Sequence, residues 1–268
     1  INYFMFKIKN PKKISLKSIK KFFIDLGLIE MVKESARPEL KVNEMKISNP
    51  YKPDLRDLYR LYFFIIYNKR TTVMEFGSGW STLVMALALS KLKKKYSKDI
   101  SKLRRNNPFE LFILENESKF LSITKKRIKK FRNKINIKIN FLYSDVSMTT
   151  YKGLISTEYK KLPLCNPDFL YLDGPDQFKI KGDCNGISIR HIDMMPMNSD
   201  ILKIEYFLIP GTIIIVDGRG ANSNFLKNNL QRKWSYRYDK LFDQHIFILN
   251  DQSLGKYNDF LLRFYKSK

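Results

Sequence analysis

Cysteine, histidine and tryptophan are scarce in this chain, which contains two residues of each. Cys165 and Cys184 make neither a disulfide framework nor the paired cysteine spacing of a zinc site. A fold held together by disulfides or by structural zinc is therefore not expected. A reducing compartment is the expected environment.

Long apolar runs are also missing. Residues 61–67 form an apolar run that is too short to span a bilayer, and Pro210 and Gly211 interrupt the run at 206–216. No secretory signal is apparent. We therefore expect a soluble protein in the cytoplasm.

Acidic side chains are too few to balance the basic ones, since 50 Lys and Arg stand against 26 Asp and Glu, a formal net charge of +24. Such a charge attracts polyanions such as nucleic acid, anionic lipid or acidic glycans. Lysine outnumbers arginine, however, as AT-rich coding produces, and phosphate recognition more often uses arginine. The charge therefore has two interpretations, one functional and one compositional.

After residue 71 the chain alternates between strand-like and helical segments, a pattern that predicts a doubly wound parallel sheet. The strand-like runs lie at 71–76, 109–115, 135–144, 167–173, 211–217, 234–243 and 245–251. The helical patterns between them lie at 81–95, 118–131, 199–208 and 222–231.

The segment before this alternation has a different character. Amphipathic helical patterns at 16–32 and 54–68 flank a stretch that contains Pro38, Pro50 and Pro53. We predict an N-terminal helical extension at 1–70 and a second domain at 71–268. The extension is interpreted as a cover for the sheet or a wall of a substrate cleft, and the alternative is a basic helix on a membrane surface or a partner.

The most informative stretch is EFGSGWST, which follows the first predicted strand and opens a helix. Gly77 and Gly79 allow a tight turn and the close approach of a ligand. A dinucleotide fingerprint requires glycine or alanine where Thr82 stands. A second pattern, an acid followed by three glycines at every other position, matches Glu75, Gly77 and Gly79. Ser81 stands where the third glycine of that pattern would be.

In this pattern the chain resembles the class I S-adenosylmethionine-dependent methyltransferases. The string LIPGTIIIVDG also resembles the family's approach to its fifth strand. The resemblance implies an α/β fold with a doubly wound, mostly parallel seven-stranded sheet that ends in an antiparallel strand pair. It also implies S-adenosylmethionine as the cofactor, bound at the glycine loop by residues that include Ser78 and Ser81.

Three acids at predicted strand ends acquire roles from the resemblance. Glu75 orders the loop and reaches the methionine end of the cofactor, Glu115 accepts both ribose hydroxyls, and Asp145 contacts adenine. An alternative role for Glu115 is capping the next helix, which Asn116 or Ser118 would serve equally well.

Methyl transfer to a hydroxyl group needs a base that removes the proton. Asp173, at the end of the fourth predicted strand, is the first candidate and His191 the second, whereas His245 begins an apolar strand and is interpreted as structural. The string Asp-Gly-Pro-Asp replaces the Asn/Asp-Pro-Pro-aromatic motif of enzymes that methylate base amines. Cys165 precedes its strand, where a nucleophile for pyrimidine carbon would not be placed.

Asp173 and Asp217 also resemble the acids of metal-dependent O-methyltransferases. Those enzymes have a second acid or amide after the later aspartate, but here Gly218 follows. No metal is therefore predicted. Arg190 and Arg219 are candidates for pairing with an acidic acceptor.

Together these features predict an S-adenosylmethionine-dependent methyltransferase that is O-directed on a small molecule or a sugar or glycan acceptor. The alternative is a nucleic-acid-binding protein or an RNA methyltransferase that uses the same fold and its basic surface.

Overall fold

The structure is a computed structural model that describes residues 6–41, 49–191 and 193–267. Parts of the predicted 1–70 extension, at 1–5 and 42–48, lie outside the described residues. In chain order, the strands are β1 Thr72–Phe76, β2 Glu110–Glu115, β3 Lys138–Tyr143, β4 Val146–Tyr151, β5 Leu154–Tyr159, β6 Phe169–Leu172, β7 Ile180–Lys181, β8 Ile213–Asp217, β9 Trp234–Asp239 and β10 Gln244–Leu249. The helices are α1 Leu16–Asp25, α2 Ile29–Glu34, α3 Leu55–Tyr67, α4 Trp80–Ile100, α5 Ser118–Lys130, α6 Asp200–Ile204, α7 Gly220–Asn229 and α8 Lys256–Lys266.

A seven-stranded sheet with the order β3-β2-β1-β6-β8-β10-β9 forms the centre of the molecule. Its strands pair in parallel, except that β10 runs antiparallel to both β8 and β9. Alternate residues of β8 enter two separate apolar clusters, with Ile213 and Ile215 on one face and Ile214 and Val216 on the other. Both faces are therefore covered, as a parallel sheet requires. The predicted doubly wound sheet with a terminal antiparallel pair is confirmed.

The N-terminal helices pack into the larger of these clusters. Ile19, Phe23 and Met31 are buried there, and α3 packs along α4. The single helix predicted at 16–32 is wrong, because Gly27 adopts φ +83° and ends α1 before α2 begins. Among the described residues, no helix has the length and apolar character needed to cross a membrane.

A small second sheet, with the order β5-β4-β7, was not predicted. Its strands are partly exposed and carry Ser and Thr, so they lack the apolar runs that identified the central strands. Lys152 and Gly153, with φ of +49° and +80°, form the turn between β4 and β5. Two consecutive positive φ values are typical of a two-residue hairpin.

Asp168, which precedes β6, links the amino-terminal ends of β1 and β6. Its fully buried carboxylate accepts hydrogen bonds from the N–H groups of Thr71 and Thr72 and from the hydroxyl of Tyr265 in α8. The guanidinium of Arg105 lies 3.8 Å away. These contacts hold β1 beside β6, and the opposite ends of these two strands carry Glu75 and Asp173. The helix α8 itself was missed by the sequence interpretation.

Candidate active site

The loop after β1 meets the loop after β6 backbone to backbone. Gly77 has φ +105°, in the left-handed region that favours glycine. A Cβ on Gly77 would lie 3.0 Å from the Gly174 nitrogen, and a Cβ on Gly174 would lie 2.6 Å from the Gly77 nitrogen. Both positions therefore require glycine, and their contact sets the glycine loop beside Asp173.

Glu75 contacts the start of the helix that follows the glycine loop. Its fully buried carboxyl group accepts hydrogen bonds from the hydroxyls of Ser81 and Thr82. The Thr82 oxygen also accepts from the N–H of Gly79 at 3.1 Å. Ser81 and Thr82, where the glycine patterns are interrupted, thus join Glu75 to the start of α4. These contacts suit the loop-ordering role predicted for Glu75.

The buried position of Glu75 makes stability depend on pH. Desolvation raises its pKa to about 8, against the hydrogen bonds from Ser81 and Thr82. Because the folded pKa is above the ordinary value of 4.5, the contribution of Glu75 to stability is fully present below pH 4.5, falls as the pH rises above that value, and is lost once the pH has passed about 8. We expect Glu75→Gln to flatten the decline of unfolding free energy over this window by up to about 1.4 kcal/mol per pH unit. Urea unfolding at several pH values measures the slope, and an unchanged slope would contradict the assignment.

Gly79 faces open space. Its φ of 175° is extended backbone that any residue adopts, so the turn itself does not require glycine here, contrary to the prediction. The nearest atom to a Cβ on Gly79 would be Ser81 Oγ, at 3.8 Å. The absent side chain therefore leaves room for a ligand, which was the other predicted reason for this glycine.

Glu115, at the end of β2, has an almost fully buried carboxyl group. It accepts hydrogen bonds from the Ser78 hydroxyl at 2.7 Å and from the N–H groups of Asn116 and Glu117 at 2.8 and 2.9 Å. Burial raises the pKa of Glu115 to about 7. Neither Asn116 nor Ser118 caps α5, because Glu117 occupies the cap position and accepts from a first-turn N–H.

A cavity of about 430 Å³ opens at the carboxyl ends of β1, β2, β6 and β8. It brings most of the predicted site together, while Glu75 lies behind the wall. The predicted residues in its lining are Gly77, Ser78, Gly79, Ser81, Glu115 and Asp173. Apolar and aromatic lining comes from residues that include Tyr51, Leu58, Trp80, Phe120, Ile123, Tyr171, Phe178 and Met195.

Asp145 is outside this lining. Its carboxylate lies 2.9 Å from the Lys181 ammonium and accepts a hydrogen bond from the Tyr143 hydroxyl at 3.2 Å. The Lys181 contact holds the pKa of Asp145 below its usual value. The adenine contact of Asp145 stays a prediction.

The two histidines are both outside the cavity lining. His191 is exposed in the long connection after β6, with Nδ1 3.9 Å from the Asp193 carboxylate. His245 is buried in β10, stacks on Tyr238 and hydrogen-bonds the Tyr236 hydroxyl at 2.9 Å. The catalytic role of His191 stays a prediction that these positions do not favour.

Three carboxyl groups line the cavity on the side away from Glu115. Asp173 presents its side chain to the cavity, Asp217 accepts a hydrogen bond from the Tyr171 hydroxyl at 2.9 Å, and Asp57 reaches in from α3. Desolvation raises the pKa of all three, that of Asp173 to about 6, and Asp217 is the main charged neighbour that raises the pKa of Asp57 further. Asp57 was not predicted, since only the packing of α3 brings it to the strand ends.

The two arginines proposed for an acidic acceptor lie in different places. Arg219 lines the cavity, donates to the Pro175 carbonyl at 3.1 Å and lowers the pKa of Asp173 by its positive charge. Arg190 is exposed outside the lining, 3.8 Å from the Asp183 carboxylate. Arg219 therefore belongs to the site, and Arg190 does not.

The cavity is acidic although the chain is strongly basic. The basic residues of its lining are Lys52, Arg127 and Arg219, whereas the acidic residues are Glu34, Asp54, Asp57, Glu115, Asp173, Asp176 and Asp217. A cavity of this charge attracts cations and repels polyanions. Within the described ranges, no group of three or more His, Cys, Asp or Glu side chains is arranged to hold a metal ion.

Several solved structures of methyltransferases align with most of this chain. They include SAH-bound methyltransferase PaMTH1 from Podospora anserina (12% identity, TM-score 0.45, covering 91% of this chain and 100% of that one). They also include a putative caffeoyl-CoA O-methyltransferase from Staphylococcus aureus (13%, 0.44, covering 85% and 97%) and an O-methyltransferase from Bacillus cereus in complex with SAH (13%, 0.39, covering 86% and 96%). No protein-family model and no curated protein matches the sequence. At these identities and scores, the function is inferred from the chain's own side chains.

Proposed function

We propose that this chain is an S-adenosylmethionine-dependent methyltransferase that acts on a hydroxyl group of a small molecule or sugar. The observation that carries the proposal is one cavity that joins the Gly77–Gly79 loop, the buried acid Glu115 and the carboxyl group of Asp173. In an open α/β sheet, ligands bind beyond the carboxyl ends of the strands, where this cavity lies.

The lining suits the cofactor. The space beside Gly79 admits a ligand against the backbone, and Glu115 Oε2, which accepts one hydrogen bond from Ser78, has a lone pair for a ribose hydroxyl. When bound, S-adenosylmethionine supplies a methyl group on a positively charged sulfur. The acidic lining of the cavity favours that charge, which supports this cofactor over an anionic dinucleotide.

The side of the cavity away from Glu115, which we call the acceptor side, has side chains that support O-directed transfer. A pKa of about 6 leaves Asp173 largely ionised at neutral pH yet basic enough to take a proton. Arg219 is the positive neighbour of Asp173, and it stabilises charge that develops on an oxygen held between the two. Proton removal by Asp173 thus turns a bound hydroxyl into a better nucleophile.

The assignment of Glu115 predicts a loss of cofactor affinity. We expect Glu115→Ala to weaken SAH binding by about 1.5–3 kcal/mol, the range for hydrogen bonds that involve a charged group. Calorimetric titration of SAH measures the change. Glu110→Ala, which removes an acid from the opposite end of the same strand, serves as the control. An unchanged dissociation constant in Glu115→Ala would assign Glu115 to ordering the start of α5.

The activity itself is tested by transfer of labelled methyl groups from S-adenosylmethionine into a metabolite extract. We expect the label to appear in a small molecule and to be absent when Gly79→Val replaces the native chain. Label that appears only in added RNA or DNA would overturn the proposed acceptor class.

A further inference from the structure

The acceptor side of the cavity contains a row of negative groups with a positive group at one end. Arg219 is the charged group that acts on Asp173, Asp173 acts on Asp217, and Asp217 is the strongest charged neighbour of Asp57. The strand register places three of these groups independently: Leu172 of β6 pairs with Val216 of β8, so Asp173 and Asp217 lie at neighbouring strand ends, and Arg219 donates to the Pro175 carbonyl just after Asp173.

At the far end of this row, Arg60 is the positive neighbour of Asp57, but no basic side chain among the described residues forms an ion pair with Asp57 or Asp217. Arg60, one helical turn from Asp57, is engaged elsewhere: it donates to the Asp239 carboxylate and to the Gln244 side chain, both at 2.8 Å, and stacks on Phe242. Within the described part of the chain, Oδ1 of Asp57 is buried and has no hydrogen-bond partner.

A buried carboxylate oxygen without a partner is costly, and desolvation raises the pKa of Asp57, so a ligand that supplies a positive charge beside Asp57 favours its ionised form. Of the three lining bases, Lys52 pairs with Glu39, Arg127 lies over the Trp80 ring, and Arg219 stands at the opposite end of the row, beside Asp173. The wall is therefore suited to a bipolar ligand, with an oxygen near Asp173 and Arg219 and a positive group near Asp57 and Asp217.

We propose that the acceptor is a hydroxylated amine whose protonated amino group is bound by Asp57 and Asp217, while its hydroxyl group lies at Asp173. This inference rests on the proposed function, because it names the class of acceptor for the same cavity. Tyr171, whose hydroxyl donates to Asp217 at 2.9 Å, also lines this part of the cavity and provides an aromatic ring beside the ammonium group. Asp57 and Asp217 thus determine specificity, and the acidic acceptor considered from Arg190 and Arg219 is replaced by a cationic one.

Three phenols that differ mainly in the charge of their tails test this inference. Tyramine carries an ammonium group, 4-ethylphenol is neutral and 3-(4-hydroxyphenyl)propionate is an anion. Each is titrated into the full chain saturated with SAH, so that SAH binding is established first. We expect tyramine to bind at least about tenfold more tightly than the propionate, with 4-ethylphenol between them.

Variants separate charge recognition from a change of fold. Asp57→Asn and Asp217→Asn are expected to weaken tyramine binding at least about fivefold while leaving the affinity for 4-ethylphenol and SAH unchanged. Asp25→Asn removes the same charge from the exposed face of α1 and is expected to change none of the three affinities.

Two kinds of result overturn the inference. One is propionate binding as tight as tyramine binding, or tyramine binding that both variants leave intact. The other is no binding of tyramine to the SAH-saturated chain at ~10 mM, a concentration at which even weak affinity is measurable. Failure of SAH itself to bind would instead contradict the proposed function, and the two failures are therefore distinguishable.

Discussion

Gly79→Val is expected to abolish binding of S-adenosylmethionine and SAH while leaving the free energy of unfolding nearly unchanged. The backbone at Gly79 is extended, with φ 175°, and the nearest atom to a new Cβ is 3.8 Å away, so the fold accepts a side chain there. The added methyl groups occupy space in the cavity that a ligand needs. We expect the dissociation constant for SAH to rise more than ~100-fold, which calorimetry measures directly.

Gly174→Val is the matched contrast. A Cβ at Gly174 meets backbone atoms of Gly77 and Phe76 at 2.6 to 2.8 Å, which cannot move as the end of a flexible side chain does. This variant is expected to lose about 1–3 kcal/mol of stability, as overpacked cores do. Native cofactor affinity in Gly79→Val, or a loss of stability as large as that of Gly174→Val, would contradict the role assigned to Gly79.

Asp173→Asn is expected to slow methyl transfer by about 10²–10⁴-fold, the range for loss of a general base. The amide keeps the shape of the side chain but cannot take the proton of the acceptor. Cofactor affinity is expected to change little, so kcat falls far more than KM changes. Steady-state kinetics on the acceptor found by the labelling screen provide the measurement.

Two further results decide what the Asp173 side chain does. Activity that survives EDTA but is lost in Asp173→Asn supports a metal-free base, whereas activity that vanishes with EDTA and returns with Mg²⁺ assigns Asp173 and Asp217 to a metal. Full activity in Asp173→Asn would show that Asp173 is only a turn residue. His191 would then be the next candidate, although its exposed position outside the cavity lining makes it a poor one.

The central strands could be predicted because a parallel sheet covered on both faces needs nearly continuous apolar segments. The strands β6 (FLYL) and β8 (IIIVD) satisfy this requirement. Asp173 and Asp217 were therefore correctly predicted to lie at the carboxyl ends of these two strands. The strands β4 and β5 could not be found in this way, since they are half exposed and rich in Ser and Thr. Gly153, at the tip of their hairpin, was the local signal that was available.

The candidate site was predictable on the cofactor side and much less so on the acceptor side. The spacing of Glu75, Gly77 and Gly79 is local in sequence, so the loop is visible without tertiary structure. Asp57, in contrast, reaches the cavity because α3 packs along α4, and no short motif encodes that contact. The role of Ser81 and Thr82 as partners of Glu75 also depends on geometry, because their hydroxyls were visible in the sequence but their direction was not.

The most direct test of this account is calorimetric titration of S-adenosylmethionine and SAH into the full chain, with Gly79→Val as the matched control. The account predicts that both compounds bind the native chain at one site with dissociation constants of micromolar order, and that neither binds the variant. Absence of binding of both compounds to a natively folded chain would contradict the central claim that this cavity is a cofactor site for methyl transfer.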